Sequence, residues 1–229
     1  MWSQQLLEFY TSIKVPPLPG GIAALTPWRD GDAFGLMSSF YEKFYGDSNP
    51  RIMLIGINPG RLGGGLTGIP FTDPVRLEDE CGIANTLPKK PELSSTFFYE
   101  VVKAMGGPKI FYSRFFVSSV VPFGFTIGGK NLNYYDDQNL LGTLQPLIPK
   151  WLEKQMDMGI SRSVFFSIGE GENAKFLFKL NQKMDWFDDM KALPHPRFIM
   201  QYKRRYLKDF INRYVEVLSQ TNSIHPGRL

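Results

Sequence analysis

The sequence predicts an α/β fold: one three-layer domain around a small, mainly parallel sheet of about four strands, flanked by helices. Short apolar runs without polar alternation recur along the chain, which is typical of strands buried on both faces. Helical segments separate these runs, so the strands need crossover connections, which favour a parallel sheet. Pro and Gly are dispersed, with no repeat or low-complexity linker, so residues 1–229 are expected to form a single domain.

Four apolar runs are the predicted strands. They cover residues 51–57, 115–121, 163–168 and, more briefly, 190–193. Helices are predicted near residues 33–44, 95–105, 138–158, 172–181 and 203–218. The last one is the clearest, because its apolar residues recur at i, i+3, i+4, i+7, i+8 and i+11 and so share one face. Residues 13–26 are rich in Pro and Gly and are predicted to be a loop.

Each predicted strand leads into a loop at the same edge of the sheet. These loops cover residues 58–73, 122–133, 169–172 and 194–198. In open α/β sheets the ligand site lies outside the carboxyl ends of the strands. The functional site is therefore expected among these four loops.

Composition limits the class of protein. The formal net charge of +4 is compatible with an anionic partner. Cys81 is the single cysteine, so no internal disulfide can form, which suits a reducing intracellular compartment and a cytoplasmic location. His195 and His225 are the two histidines of the sequence, and with the single cysteine they are too few for a zinc site of the usual Cys/His kind, which is therefore not expected. The sequence shows neither a signal peptide nor an apolar run of roughly 18–20 residues, so no membrane association is expected.

The first loop offers two candidate side chains. Asn58 directly follows a strand, where its amide could orient a water molecule, and Phe71 could present a ring face to a flat ligand. The glycines between them permit close approach of the backbone to a ligand. An ordinary Asn-Pro-Gly turn followed by a flexible loop explains the same residues.

The last loop and the segment after it offer a histidine and three cations. His195 lies between two prolines that stiffen its backbone, so it is either a catalytic group or a histidine satisfied by its surroundings. Lys203, Arg204 and Arg205 fall in the first turn of the predicted last helix, where cations oppose the helix dipole. That placement favours phosphate contact, although a solvated basic face is the common alternative.

Several enzyme classes lack their motifs. Residues 169–172 read Gly-Glu-Gly-Glu, and the two glutamates would repel a phosphate. The loop matches neither a dinucleotide-binding nor a Walker motif, and no Gly-x-Ser-x-Gly elbow is present. A phosphoryl-transfer set is also missing.

Three sequence blocks together resemble the uracil-DNA glycosylase superfamily. They are GINPG at 56–60 with TGIPF at 67–71, FVSSVVP at 116–122 with GKNL at 129–132, and HPR at 195–197. They occur in the family order over roughly residues 50–200, and the branch they are most similar to is the single-strand-selective monofunctional enzymes, in a bacterial subgroup. The first block combined with the His-Pro block is fairly specific, whereas either alone is weak.

The resemblance implies a fold and roles for individual residues. The family fold is a small parallel sheet flanked by helices, in agreement with the strand pattern. Asn58 would hold the attacking water, Phe71 would stack on the flipped base and His195 would hydrogen-bond a carbonyl of the departing base. The remaining base-binding residues would be Gly56, Ile57, Pro59, Gly60, Gly68 and Ser119. Contacts to DNA would come from Arg61, Lys130, Asn131, Arg197, Phe198, Lys203, Arg204 and Arg205, with residues 197–202 entering or bracing the DNA.

Two positions depart from the branch. Ser119 stands where the branch usually has Asn to read the uracil edge, so the family's base specificity does not carry over directly. The segment after His195 lacks the usual longer Ser/Pro-containing wedge.

The expected function is excision of deaminated bases (uracil, xanthine or 5-substituted uracil) from single- or double-stranded DNA by water attack on the N-glycosidic bond. No lysine nucleophile, lyase step, metal or cofactor is expected, and the protein is expected to act as a monomer. Two alternatives stay open. One is the mismatch-specific thymine/uracil branch, which shares GINPG but is disfavoured by residues 67–71 and the His-Pro block; the other is a non-catalytic DNA-binding relative, which Ser119 keeps open.

Overall fold

The computed structural model describes residues 1–223, which form seven strands and eleven α-helices. The strands are β1 (Ile22–Leu25), β2 (Arg51–Gly56), β3 (Phe115–Ser119), β4 (Gly124–Ile127), β5 (Lys130–Leu132), β6 (Ile160–Ile168) and β7 (Asp189–Leu193). The helices are α1 (Trp2–Ser12), α2 (Gly31–Phe44), α3 (Gly64–Thr67), α4 (Pro74–Asp79), α5 (Leu93–Ala104), α6 (Pro108–Arg114), α7 (Gln138–Leu144), α8 (Ile148–Met156), α9 (Glu172–Met184), α10 (Pro196–Tyr202) and α11 (Leu207–Ser219). His225 lies outside the described residues.

The central sheet has four strands in the order β3-β2-β6-β7, and all three pairings are parallel. The predicted α/β fold with about four parallel strands is confirmed, and each strand coincides with a predicted apolar run. The two middle strands, β2 and β6, are almost continuously buried. Burial on both faces explains why their sequences lack polar alternation.

A second, antiparallel sheet of order β1-β4-β5 lies where the sequence predicted only loops. Its strands have three or four residues each, too few for an alternating pattern to emerge. Gly128 and Gly129 turn between β4 and β5 with φ of 54° and 74°. The predictions for residues 13–26 and 122–133 as loops are therefore wrong in part.

Three helix predictions need correction. The single helix expected over residues 138–158 is two helices, α7 and α8, because Pro149 in the first turn of α8 starts a new helix there. Five of the described helices were not predicted: α1, α3, α4, α6 and α10. The last helix begins at Leu207, and residues 204–206 form a separate 3₁₀ turn before it.

The start of β2 is held by a buried cation. The Arg51 guanidinium donates to Asp47 at 2.9 and 3.0 Å, and its Nε donates to the Tyr112 carbonyl at 2.8 Å. It lies 5.2 Å from the centre of the Trp2 ring and 4.9 Å from that of Tyr45. Because these partners come from α1 and from the segments next to α2 and β3, the central strand is fixed against its surroundings at the end opposite the site.

Within residues 1–223, no helix combines the length and the apolar character needed to cross a bilayer. Across the same residues, no group of three or more His, Cys, Asp or Glu side chains is arranged to hold a metal ion.

Candidate active site

The loops at the carboxyl ends of the parallel strands enclose a cavity of about 760 Å³. Strand register brings the loops together, since Gly56 pairs with Ser119 and Ile168 pairs with Leu193. We call this the base cavity. Its walls include Asn58, Phe71, Ser119, Asn173 and His195. Side chains separated by up to 137 residues along the chain thus line the same cavity. This is the position expected for a ligand site in an open α/β sheet, outside the carboxyl ends of the strands.

The Asn58 side chain is fixed by two hydrogen bonds to the antiparallel sheet and the segment after it. Its Nδ2 donates to the Leu132 carbonyl at 3.1 Å, and its Oδ1 accepts from the Tyr134 backbone N–H at 3.0 Å. These bonds determine which way the amide faces. An amide oxygen has two lone pairs, so Oδ1 retains one for a water molecule in the cavity.

His195 is the N-terminal cap of α10. The Arg197 backbone N–H donates to its Nδ1 at 3.2 Å. Burial, with a further contribution from the nearby Arg197, lowers the pKa of His195 to about 4. The ring is therefore neutral at pH 7, and because Nδ1 accepts a hydrogen bond, the proton is on Nε2. His195 can offer one neutral N–H donor to a group in the base cavity.

Phe71 supplies a flat wall close to His195. Its ring stacks on Phe98 with centroids 5.0 Å apart and planes 20° apart, and its centroid lies 6.1 Å from that of His195. Phe71 has a φ of 53°, a left-handed conformation that is costly for a bulky residue. A Cβ at Gly56 would lie 2.7 Å from the ring, so glycine there makes room for it. Phe98 covers one face of the ring, and Phe71 also lines the base cavity.

Ser119 and Asn173 provide polar groups in the same cavity. Ser119 ends β3 and is only 4% exposed. Asn173, in the first turn of α9, is buried; its Oδ1 accepts from the Tyr134 hydroxyl at 3.1 Å, and its Nδ2 donates to Ser167 Oγ at 3.4 Å. Asn173 was not predicted as a site residue, since it lies just beyond the loop of residues 169–172.

The other predicted base-binding residues divide into two groups. Ile57, Pro59 and Gly60 line the base cavity. Gly56 and Gly68 do not line it, so direct contact with a base is not their role. Gly68 ends α3 with a φ of 74°, and a Cβ there would collide with Met37, so this glycine serves the packing of α3 on α2.

A smaller cavity of about 400 Å³ adjoins the base cavity, and we call it the side cavity. Arg61, Lys130, Asn131 and Arg197 all line it, and the last two also line the base cavity. Asn131 Oδ1 accepts from the Arg61 backbone N–H at 2.9 Å, which joins the first loop to β5. Four predicted DNA-binding residues therefore lie side by side.

Lys203, Arg204 and Arg205 lie in another setting from the one predicted. They follow the C-terminal end of α10, where cations are favourable, and they precede α11 instead of starting it. The argument from an unfavourable helix dipole is therefore wrong. All three residues are exposed and follow Tyr202, a rim residue of the base cavity that is 72% exposed.

Residues 197–202 were expected to enter or brace DNA, and in the structure they form most of α10. Phe198 and Tyr202 point outward on successive turns with ring centroids 5.6 Å apart, and both line the base cavity at its rim. Glu92 and Ser94, at the start of α5, line both cavities and were also missed. They come from a loop that follows no central strand, so no strand-end signal could have revealed them.

Comparisons with known proteins show the family and the overall fold of the chain. The family model of the uracil DNA glycosylase superfamily matches residues 43–219. The crystal structure of wild-type Pedobacter heparinus SMUG2 superposes with a TM-score of 0.93 and 38% sequence identity, covering 97% of this chain and 99% of that one. No curated protein sequence matches.

Proposed function

The chain belongs to the uracil DNA glycosylase superfamily and is a DNA repair hydrolase of that type; we propose that it flips deaminated bases out of DNA and hydrolyses their N-glycosidic bond, leaving an abasic site. A base inside a duplex cannot be reached, so it must first be extruded, at a free-energy cost of a few kcal/mol. The base cavity supports this proposal because its flat wall and polar groups suit an extruded base.

One observation carries the proposal: His195 lines the base cavity and its Nδ1 accepts from the Arg197 backbone N–H, which leaves Nε2 as the nitrogen that can donate. Breaking the glycosidic bond develops positive charge on the sugar and negative charge on the departing base. A preorganised donor at the base carbonyl stabilises that negative charge, and such donors are worth about 3–4 kcal/mol. A neutral donor is suited to this role because it needs no counter-charge in the substrate-free cavity.

Asn58 is proposed to position the attacking water. An amide is too weak a proton acceptor to deprotonate water. The glycosidic bond must therefore break, with departure of the nucleobase, before water attacks the sugar. The sugar cation that forms is then captured by water held at the free lone pair of Asn58 Oδ1. The attacking water loses a proton to solvent, and the base, which departs as an anion, takes up a proton from solvent. No covalent enzyme intermediate is needed, and the proposed enzyme is monofunctional and acts as a monomer, since one chain supplies all these groups.

The activity is tested by incubating the protein with uracil-containing DNA and then treating it with alkali, which cleaves abasic sites. Strand breaks are expected only after alkali. Breaks before alkali would show a lyase step and contradict the monofunctional assignment. Binding to uracil-containing DNA without any breaks would favour the non-catalytic relative.

Ser119 is expected to broaden the substrate range. An Asn amide holds a uracil edge with a donor and an acceptor, whereas a serine hydroxyl is shorter and rotates. A site that does not grip the edge tightly rejects analogues weakly. The wild type should therefore release xanthine or 5-hydroxymethyluracil as well as uracil, and Ser119→Asn should raise the ratio of uracil to purine release by about tenfold.

The measurement is single-turnover cleavage of DNA carrying uracil, 5-hydroxymethyluracil, hypoxanthine or xanthine, with wild type and Ser119→Asn in parallel. Ser118→Asn is not a suitable control, because Ser118 donates to Gln155 inside the core. Ser119→Ala is the better control, since it removes the hydroxyl without adding an amide. A wild type that releases uracil alone would contradict this prediction.

Neutralising Lys203, Arg204 and Arg205 to glutamine should weaken binding to any DNA sequence alike. Each lost phosphate contact lowers the slope of log Kd against log salt by about 0.9 on duplex and about 0.7 on single strands. The triple variant should therefore lose up to about 2–3 units of slope. The control neutralises Lys150, Lys154 and Lys183, which are exposed but line neither cavity. Equal slopes of log Kd against log salt in the two triple variants would indicate that residues 203–205 are solvated surface residues that do not contact DNA phosphates.

A further inference from the structure

The side cavity concentrates positive charge next to the base cavity. Arg61 comes from the loop after β2, Lys130 from β5 and Arg197 from α10, so three separate elements each direct a cation to its wall. Its floor includes the first residues of α5, a twelve-residue helix whose N-terminus has no side-chain cap. Backbone N–H groups at such an end favour an anion.

One carboxyl group lies in the middle of these cations. Glu92 lines both cavities, and its two oxygens lie against the backbone of Gly60 and Gly63, where any Cβ would collide with them. Within residues 1–223, neither oxygen takes part in an ion pair of 4.0 Å or less or accepts a hydrogen bond. An ordinary structural glutamate in a basic groove would pair with a cation, and Glu92 does not.

The surroundings of Glu92 favour its neutral form. Burial is the larger cause and the nearby Asp73 the second, and against the opposing effect of Arg197 they raise the pKa of the Glu92 carboxyl to about 7. Asp73 Oδ2 accepts from the Glu92 backbone N–H at 2.8 Å. Arg61 and Lys130 are the other charged groups of the side cavity, and Arg76 lies 3.6 Å from Asp73 Oδ2. The other charged or titratable groups that line the base cavity are His195, Glu170, Glu172, Tyr135 and Tyr202. A neutral carboxyl can donate a hydrogen bond, and an ionised one can only accept.

We propose that the side cavity binds one backbone phosphate of the DNA beside the extruded nucleotide, and that Glu92 binds a proton when this phosphate is in place. The proposal rests on DNA being the substrate. A protonated Glu92 donates to a phosphate oxygen while the three cations balance the phosphate charge. An ionised Glu92 places a second negative charge within the same cavity and opposes binding.

The sign of the pH dependence follows from this linkage. The phosphate-bound state holds one more proton on Glu92 than the free protein does at pH values above about 7. DNA affinity should therefore weaken as the pH rises through that value, by up to about tenfold for each pH unit above it. His195, with a pKa of about 4, does not titrate between pH 6 and 8.5 and cannot cause the change.

The test is the Kd for DNA that carries a non-cleavable abasic-site analogue, measured at pH 6.0 to 8.5 and constant salt, for wild type and Glu92→Gln. Wild type should weaken about tenfold over this range, whereas Glu92→Gln should be flat and bind about tenfold tighter than wild type at pH 8.5. Glu8→Gln makes the same charge change on α1, away from both cavities, and should follow the wild-type pH profile. A Glu92→Gln profile parallel to wild type would overturn the proposal.

A second measurement asks whether the cations and Glu92 act on the same phosphate. The double variant Arg61→Gln, Lys130→Gln should weaken binding more at pH 6 than at pH 8.5. The two cations contribute to affinity only when the phosphate occupies the side cavity, and occupancy is higher at pH 6, where Glu92 is protonated. In the Glu92→Gln background the same pair should weaken binding equally at both pH values. Equal losses at both pH values in the wild-type background would overturn the proposal.

These binding measurements do not depend on cleavage. A protein without glycosylase activity would fail the alkali assay, but its Kd values would still test the role of Glu92. Single-turnover cleavage of uracil-containing DNA by Glu92→Gln completes the set: the protein concentration that gives half the maximal rate should rise with pH in wild type and stay constant in Glu92→Gln. A hundredfold slower rate with unchanged affinity would place Glu92 in the chemical step and overturn its assignment to the phosphate.

Discussion

His195→Ala should lower the single-turnover rate on uracil-containing DNA by about 10²-fold or more, with the Kd for DNA changed less than about threefold. The imidazole is the donor that the structure leaves free toward the base cavity, and removing one such donor typically costs about 10²–10³ in rate. Because the pKa of His195 is lowered to about 4, its charge does not change between pH 6 and 8. Its contribution to the rate should be constant over that range.

Alanine also removes the cap of α10, which is worth about 1 kcal/mol of stability. His195→Asn is the matched control, because asparagine is a good cap and keeps an amide donor. The thermal midpoint should return toward wild type in His195→Asn, while the rate should recover only in part because the shorter side chain does not reach as far. Wild-type single-turnover kinetics in His195→Ala would show that His195 takes no part in the chemical step.

Asn58→Ala should reduce cleavage by a comparable factor, about 10²-fold or more, while uracil-containing DNA still binds. The substitution removes the Oδ1 lone pair proposed to hold water, and it leaves Phe71, Ser119 and His195 in place. It also frees the Leu132 carbonyl and the Tyr134 N–H, which lose their side-chain partner. Binding and single-turnover cleavage should be measured on the same DNA.

Asn58→Asp separates the two effects of this substitution. An aspartate keeps an oxygen for water and for the Tyr134 N–H but cannot donate to the Leu132 carbonyl. It should therefore retain more activity than alanine if positioning the water is what matters. If both variants lose affinity for DNA together with rate, Asn58 acts by shaping the cavity wall and does not hold the water.

Much of the site was predictable because a parallel sheet gathers its loops at one edge. Asn58, Ser119 and His195 each follow or end a strand that is visible as an apolar run, so their convergence follows from strand order and register. Ser119 was singled out only through the resemblance to the family, whereas Phe71 was already a candidate from its place in the first loop. Its left-handed backbone and its stacking on Phe98 are properties of the folded chain that no local pattern indicates.

The rest was not predictable because it depends on contacts between distant segments. The short strands β1, β4 and β5 are held by each other and carry little signal of their own. The position of Lys203 was misjudged because the apolar pattern of α11 was extended one turn too far toward the N-terminus. Glu92 is distinguished only by the cations and glycines that surround it, and those come from three other parts of the chain.

The two hydrogen bonds of Asn58 connect residues 74 and 76 positions apart in the chain. During synthesis on the ribosome, residues 51–73 emerge long before residues 130–134, so a nascent chain has the Asn58 loop without the partners that orient its amide. The same is true of any partly unfolded copy in which the β4–β5 hairpin has detached. The proposed positioning of water by Asn58 therefore requires the fully assembled protein, and immature or partly unfolded molecules should not cleave DNA.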